Sequence, residues 1–150
     1  MFINHCKRQK GFSLIELIAV MVIVSIISAT AIVRLMPSSL FELQSARDQV
    51  VAALFHAQQK ALFTPYDIRV TLLGGVVDVR MDENADGLFP SSESIRVGAV
   101  QYPLTLVSSV QVSTHTLDYD SLGETTAANI SVSKSSKSVS IAVSASGFAQ

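Results

Sequence analysis

The chain has 150 residues, 49% of them hydrophobic and 15% charged, with a formal net charge of -1. That length suits one domain, and the low charge excludes a disordered polyelectrolyte. The near-neutral balance argues against a nucleic-acid binder that works through a basic surface. A single cysteine, Cys6, excludes an internal disulfide framework and a multi-cysteine zinc site. The mean hydropathy of +0.42 is high for a soluble protein, so where the apolar residues sit is decisive.

They sit near the N-terminus. Phe12 to Val33 is an apolar run of 22 residues with one charge, Glu16. About 20 apolar residues span a bilayer as a helix. Lys7, Arg8 and Lys10 precede the run and predict a cytoplasmic N-terminus with the remainder outside. A cleaved secretory signal would begin similarly, but its apolar core is shorter, about 7–15 residues. The run ends in Ile32-Val33-Arg34-Leu35, without a small-x-small cleavage site. An uncleaved anchor is therefore expected. Glu16 is the oddity within it. An acid at the centre of a membrane helix costs about 2.5–3.5 kcal/mol on insertion scales. Glu16 lies near one end, where the cost is smaller, but it still calls for a partner.

Lys10-Gly11-Phe12-Ser13-Leu14-Ile15-Glu16-Leu17 resembles the class III leader of type IV pilins and type II secretion pseudopilins. The resemblance implies cleavage between Gly11 and Phe12 by a prepilin peptidase, which also N-methylates Phe12. It assigns Glu16 to assembly, as a partner for the N-terminal amine of the same or a neighbouring subunit. Many pilins carry a proline where Val33 stands; this chain has Pro37, one turn later. A proline inside a helix removes a hydrogen bond and clashes with the preceding turn. Ser39-Leu40-Phe41-Glu42 fits a capping box. A kink or break is thus expected around Leu35–Ser39, with a helix restarting after Ser39.

From Leu40 to Leu62 the apolar residues Leu43, Ala46, Val50, Leu54, Ala57 and Ala61 recur at helical steps, predicting an amphipathic helix on a sheet. His56 lies on its flank and is expected to be a packed helix residue rather than a ligand. Thr64-Pro65 ends the helix. Alternating strands are predicted at Asp67–Leu73 and Val76–Met81, joined by a Gly74-Gly75 turn. Further strands are predicted at Ile95–Val100, Leu104–Val112, His115–Tyr119, Asn129–Lys134 and Ser138–Ser144. The last two alternate serine with Ile or Val, so one face should be apolar and the other solvated. The fold class is α+β, a long N-terminal helix packed on an antiparallel sheet. The expected organisation is a leader at 1–11, a transmembrane helix at 12–34 and an outer domain at 35–150, with its helix at about 39–62.

The pilin resemblance extends into that outer domain. Ser45-Ala46-Arg47-Asp48-Gln49-Val50 is similar to the helix of the GspH/FimT group of minor pilins and pseudopilins. The last strand, Val139 to Gly147, and the acidic segment Asp82–Glu93 are similar to that group as well. Within it the nearest resemblance is to minor pilins of MSHA-type pili.

Asp82-Glu83-Asn84-Ala85-Asp86-Gly87-Leu88-Phe89-Pro90-Ser91-Ser92-Glu93 fits the calcium-loop pattern D-x-[DN]-x-[DN]-G-x5-E at each specified position. Calcium takes six to eight oxygens. Asp82, Asn84, Asp86, the Leu88 carbonyl and Glu93 could supply them, but strands rather than helices flank the loop. The competing reading is a solvated tip whose Asp, Asn and Gly serve turn geometry. Some FimT-like pilins bind DNA, and the resemblance would place basic residues after the last glycine. Gly147-Phe148-Ala149-Gln150 has none. Removal of Lys7, Arg8 and Lys10 would leave eight Lys/Arg against 12 Asp/Glu, an acidic balance that repels phosphates. No nucleic-acid partner is expected.

His56 and His115 are isolated, and HExxH, GxSxG and Walker patterns are missing from the sequence, so no enzyme is expected. Asn129-Ile130-Ser131 fits a glycosylation sequon. The expected role is a minor pilin or pseudopilin without catalytic activity. Its partners would be the prepilin peptidase, other pilin subunits, an inner-membrane assembly platform and membrane lipid. The alternatives are a membrane-anchored periplasmic binding module that never assembles, and a calcium-dependent adhesin domain.

Overall fold

The computed structural model describes residues 13–35, 38–107 and 109–150. The chain divides into two compact units, residues 1–37 and 38–150. In the first, helix α1 runs over Leu14–Leu35. Ser13 caps it: its Oγ accepts the Ile15 N–H at 3.2 Å, and its carbonyl accepts the first helical N–H groups, from Glu16 and Leu17. Ser25 and Ser28 donate their hydroxyls to the carbonyls of Met21 and Val24, each at 2.7 Å. Such back-bonding hides a hydroxyl from its surroundings.

The second unit starts with helix α2, Ser38–Phe63. As described, α1 ends at Leu35 and α2 begins at Ser38; Pro37, on which the expected kink or break rests, lies outside the described residues. The restart comes slightly earlier than the capping box predicted, so Ser39 is inside the helix. Glu42, expected to reach back to the cap, instead pairs with Lys134. The Lys134 ammonium is an electrostatic partner that a backbone N–H cannot match in charge.

Among the described residues eight strands follow: β1 (Ile68–Gly74), β2 (Val76–Met81), β3 (Arg96–Val97), β4 (Val100–Gln101), β5 (Leu104–Thr105), β6 (Gln111–Tyr119), β7 (Ala128–Lys134) and β8 (Lys137–Val143). Six form one antiparallel sheet in the order β5-β2-β1-β6-β7-β8, and β3 with β4 makes a separate small hairpin. Leu73 pairs with Val76, so Gly74-Gly75 is the predicted two-residue turn, with Gly74 at φ +59°. Two strand expectations change. Ile95–Val100 is not one strand but the β3–β4 hairpin, folded at Gly98 (φ +58°). Leu104–Val112 stops after Thr105, and β6 takes Gln111 and Val112 into a single strand with His115–Tyr119. The Gly98 and Val110 turns interrupt apolar patterns that periodicity alone joins.

The core lies between α2 and one sheet face. Leu43, Ala46, Val50, Ala53, Leu54, Ala57 and Ala61 are buried from the helix. Ile68, Val70, Leu72, Val77, Val79, Leu117, Tyr119, Ile130, Val132, Ile141 and Val143 are buried from the sheet. Opposite ends of α2 are fixed to the last two strands' region. Lys134 holds Glu42 near the start. Near the end, Gln58 Nε2 donates to the carbonyl of Ser146 at 2.8 Å and to that of Gly123 at 3.4 Å.

That junction demands glycine. Gly147 has φ +79°, and a Cβ there would stand 2.1 Å from the Gly123 carbonyl oxygen and 2.7 Å from Gln58 Nε2. Gly98 shares the left-handed backbone, but a Cβ would meet nothing within 4 Å. The core lies wholly within residues 38–150, so that fragment is the material for a comparison. Urea unfolding should show Gly147→Ala losing about 3 kcal/mol or more. Gly98→Ala, which carries backbone strain alone, should lose about 1–2 kcal/mol.

Candidate functional site

Two places carry the residues singled out by sequence. The first is the N-terminal end of α1. Gly11 and Phe12 lie outside the described residues. Glu16 is described: it is in the first turn of α1 and exposed, and its carboxylate has no hydrogen bond or ion pair among the described residues. Its neighbours Leu14, Ile15, Leu17 and Ile18 are also exposed. The first helical turn is where a carboxylate is favoured by the unpaired N–H groups of the helix end. Sequence reading missed Ser13, whose spacing Ser13-x-x-Glu16 is the signature that would have marked the helix start.

Every described side chain of α1 from Leu14 to Ser28 is exposed. Among the described residues no helix is long and apolar enough to cross a membrane. The apolar run Phe12–Val33 extends beyond the side chains described there. On α2 the face away from the sheet carries more exposed apolar residues, Phe41, Phe55, Leu62 and Phe63. Phe55 and Phe148 line a groove of about 330 Å³ together with Val51, Ala52 and Ala149. A domain with a complete core and this much outward aromatic surface has surface suited to protein contact.

The second place is the loop after β2. Its first residue, Asp82, is buried; its carboxylate accepts the Gly87 N–H at 2.8 Å and the Asp86 N–H at 3.1 Å. Asn84 Oδ1 also accepts the Asp86 N–H, and Asp86 Oδ1 accepts that of Leu88 at 2.7 Å. Gly87 takes φ +75° and Ala85 φ +56° to close the turn. Asp82, Asn84 and Asp86 lie together in the loop, and their oxygens hold backbone N–H groups. Leu88 is exposed, and Glu93 lies beyond in a single 3₁₀ turn, Ser91–Glu93. Among the described residues no group of three or more His, Cys, Asp or Glu is placed to hold a metal ion. The segment is a loop whose base is closed by an antiparallel bridge between Arg80 and Ser94.

Glu93 is nonetheless unusual. Its Oε2 is buried without a hydrogen-bond partner. Loss of solvent, then the charges of Asp82, Asp86 and Glu83, push its carboxyl above the ordinary value of 4.5. The loop is tied down past its tip by two arginines that sequence reading did not single out. Arg80 bonds the Phe89 carbonyl and, at 2.6 Å, the nearly buried Asp78. Arg69 lies 4.1 Å from the Phe89 ring centre and makes a two-pronged pair with Asp118 at 2.6 and 2.8 Å. Arg69 and Asp118 are cross-strand partners, a relation visible only once β1 and β6 are paired.

His56 is half-buried on α2, with Nδ1 3.1 Å from the Tyr102 hydroxyl. Burial pushes that phenol up to about 12. The pair ties α2 to the chain between β4 and β5, consistent with the predicted packing role. Asn129 of the sequon is an exposed β7 residue.

Residues 6–32 match the prokaryotic N-terminal methylation motif. No curated protein matches the chain. Among solved structures, the type IV minor pilin FimU of Pseudomonas aeruginosa (strain PAO1) is similar, with a TM-score of 0.55 and 18% identity. The match covers 76% of this chain and 91% of that one. The motif at one end of the chain is thus a prokaryotic N-terminal methylation motif, and the helix-on-sheet fold that follows it is similar to that of the minor pilin FimU.

Proposed function

We propose that the chain is a minor pilin, a structural subunit of a type IV pilus or type II secretion pseudopilus, in the group with GspH/FimT-like minor pilins. One observation carries the reading: a methylation motif at residues 6–32 precedes a domain with a minor-pilin fold. In this reading a prepilin peptidase cuts between Gly11 and Phe12 and methylates Phe12. The run Phe12–Val33 holds the precursor in the inner membrane with its C-terminal domain in the periplasm. An assembly platform then moves that helix from lipid into a bundle of neighbouring subunits. The apolar side chains of α1 and of the outer face of α2 support this, since among the described residues they are exposed.

Glu16 has no partner among the described residues. Its partner would be the Phe12 amine of a neighbour, with the charge pair setting axial register; in a low-dielectric bundle an unpaired charge is costly. Mass spectrometry of the protein purified from its membrane should find an N-terminus at N-methyl-Phe12. An intact Met1 would instead favour the anchored binding module that never assembles. Glu16→Val should insert in the membrane at wild-type level and enter filaments at least about tenfold less, as for loss of a buried pair's partner. Normal incorporation of that variant as sole copy removes the register role.

A calcium-dependent adhesive role is a second, compatible reading, favoured by the orphaned Glu93 Oε2 beside three other acids. An ion at Asp82, Asn84, Asp86, the Leu88 carbonyl and Glu93 would need Glu93 to turn inward. The linkage has a definite sign. A carboxyl with a raised pKa holds its proton more tightly when folded, so stability falls as pH rises from about 4.5 through the raised value. Thermal melts of fragment 38–150 should show that fall, and Glu93→Gln should flatten it. At pH 7, millimolar calcium should raise the melting temperature of the wild type and leave Glu93→Gln unchanged. A wild-type melt indifferent to calcium removes this reading.

A further inference from the structure

The last turn of α2 and the chain leading into β3 border a cleft of about 210 Å³. Four charged residues line it: Lys60 on α2, Glu83 in the loop after β2, and Glu93 and Arg96 at the approach to β3. Both walls are tied down. On the α2 side the Lys60 carbonyl accepts the Thr64 hydroxyl at 2.8 Å, closing the helix end. On the other side Ser94 bridges Arg80, and the Ile95 N–H donates to the Val79 carbonyl at 3.0 Å. Glu93 and Arg96 are therefore carried on backbone held to β2.

Two cations and two carboxylates thus border one small space without neutralising each other. Among the described residues none of the four side chains makes an ion pair or a hydrogen bond. Elsewhere on the domain opposite charges do pair: Arg69 with Asp118, Arg80 with Asp78, Lys134 with Glu42. In the cleft, Glu93 Oε2 is shielded from water and has no donor. A buried acceptor left unpaired is costly. Preference of a cation for a helix C-terminus explains the place of Lys60 but not this oxygen. A second hollow of about 170 Å³ shares Lys60 with the cleft, and its apolar walls are Phe63 and Val97.

We propose that the cleft binds a free α-amino acid with an apolar side chain. Its ammonium meets Glu93 and Glu83, its carboxylate meets Lys60 and Arg96, and its side chain lies along Phe63 and Val97. A zwitterion satisfies both signs at once, through charge-assisted hydrogen bonds. A lone anion or cation answers one pair of groups and is repelled by the other. The same repulsion, from Lys60 and Arg96, disfavours a divalent metal in the cleft. Size points the same way. Sites for drug-sized ligands run to about 300–1,000 Å³, so each of these hollows suits something smaller. The proposal rests on neither the assembly reading nor the calcium reading. Calcium in the loop would draw Glu93 out of the cleft and oppose the amino acid.

Nuclear magnetic resonance titration of the full chain in detergent with L-leucine tests this. The amides of residues 93–97 should shift and saturate at millimolar concentration. N-acetyl-leucine lacks the ammonium and leucinamide lacks the carboxylate. Each should bind about tenfold more weakly, the worth of a hydrogen bond to a charged group. Glycine, which leaves the apolar hollow empty, should also bind about tenfold more weakly. Lys60→Gln and Glu93→Gln should each fold at pH 7 and lose about tenfold in affinity for leucine. Lys60 is half-exposed and its side chain unbonded, so Lys60→Gln keeps the test decisive if Glu93→Gln misfolds. No saturable shift with leucine overturns the proposal, as do shifts that avoid residues 93–97. Equal binding of leucinamide or N-acetyl-leucine also overturns it, since the occupant is then a peptide end carrying one charge. Equal binding of glycine, or of leucine by Lys60→Gln, overturns it as well.

Discussion

The outer domain depends on the contact between α2 and the sheet. The helix places four alanines, Ala46, Ala53, Ala57 and Ala61, among the larger Leu43, Val50 and Leu54 along its buried side. Small residues let a helix backbone come close to the strands, and the larger ones fill the spaces between β-branched side chains. Ile95 and Tyr102 join the same core, but α2 supplies seven of its buried side chains, so the contact must be kept along the helix. The Glu42–Lys134 pair and the Gln58 junction hold it near its two ends, where a frayed helix would lose register first.

One side of α2 is spent on this core, and the side left over is aromatic. Phe41, Phe55 and Phe63 each expose apolar area that a solitary soluble domain would replace with charge. Helix α1, whose described side chains are all exposed and mostly apolar, makes the same point by itself. The stability of the domain and the surface available for association are therefore carried by opposite faces of one helix. A substitution can change either with little effect on the other.

Much of this was legible before any coordinates. The α2 stripe was readable because Leu43, Ala46, Val50, Leu54, Ala57 and Ala61 keep a strict helical step, and all six are buried. The serine alternation likewise located β7 and β8, and Gly74-Gly75 located the first turn. What failed had a common physical cause. Around Gly98 and Val110 the chain stays apolar while reversing direction, so side-chain character conveyed burial but not path. The loop at Asp82–Glu93 shows a different limit. The Asx oxygens and glycine that suit a cation are the groups that close a turn on backbone N–H donors, and composition does not distinguish the two uses. Arg69, Asp118 and Arg80 were invisible for a third reason, since their meaning comes from neighbours far apart in sequence. The methylation segment was the reverse case: its linear order of residues carries the information, with no need of tertiary structure.

The two back-bonded serines in α1 have a wider consequence. With Ser25 and Ser28 hydroxyls returned to Met21 and Val24, the described part of the helix is nearly indifferent to what surrounds it. Hydrocarbon tails and the side chains of other helices present almost the same solvation to Leu, Ile and Val. Exchange of one for the other leaves these donors paired throughout. Glu16 is the exception, because its free energy depends on whether a cation stands nearby. In the assembly reading proposed above, this one carboxylate would act as an address label: the rod would slide, and the label would decide where it stops.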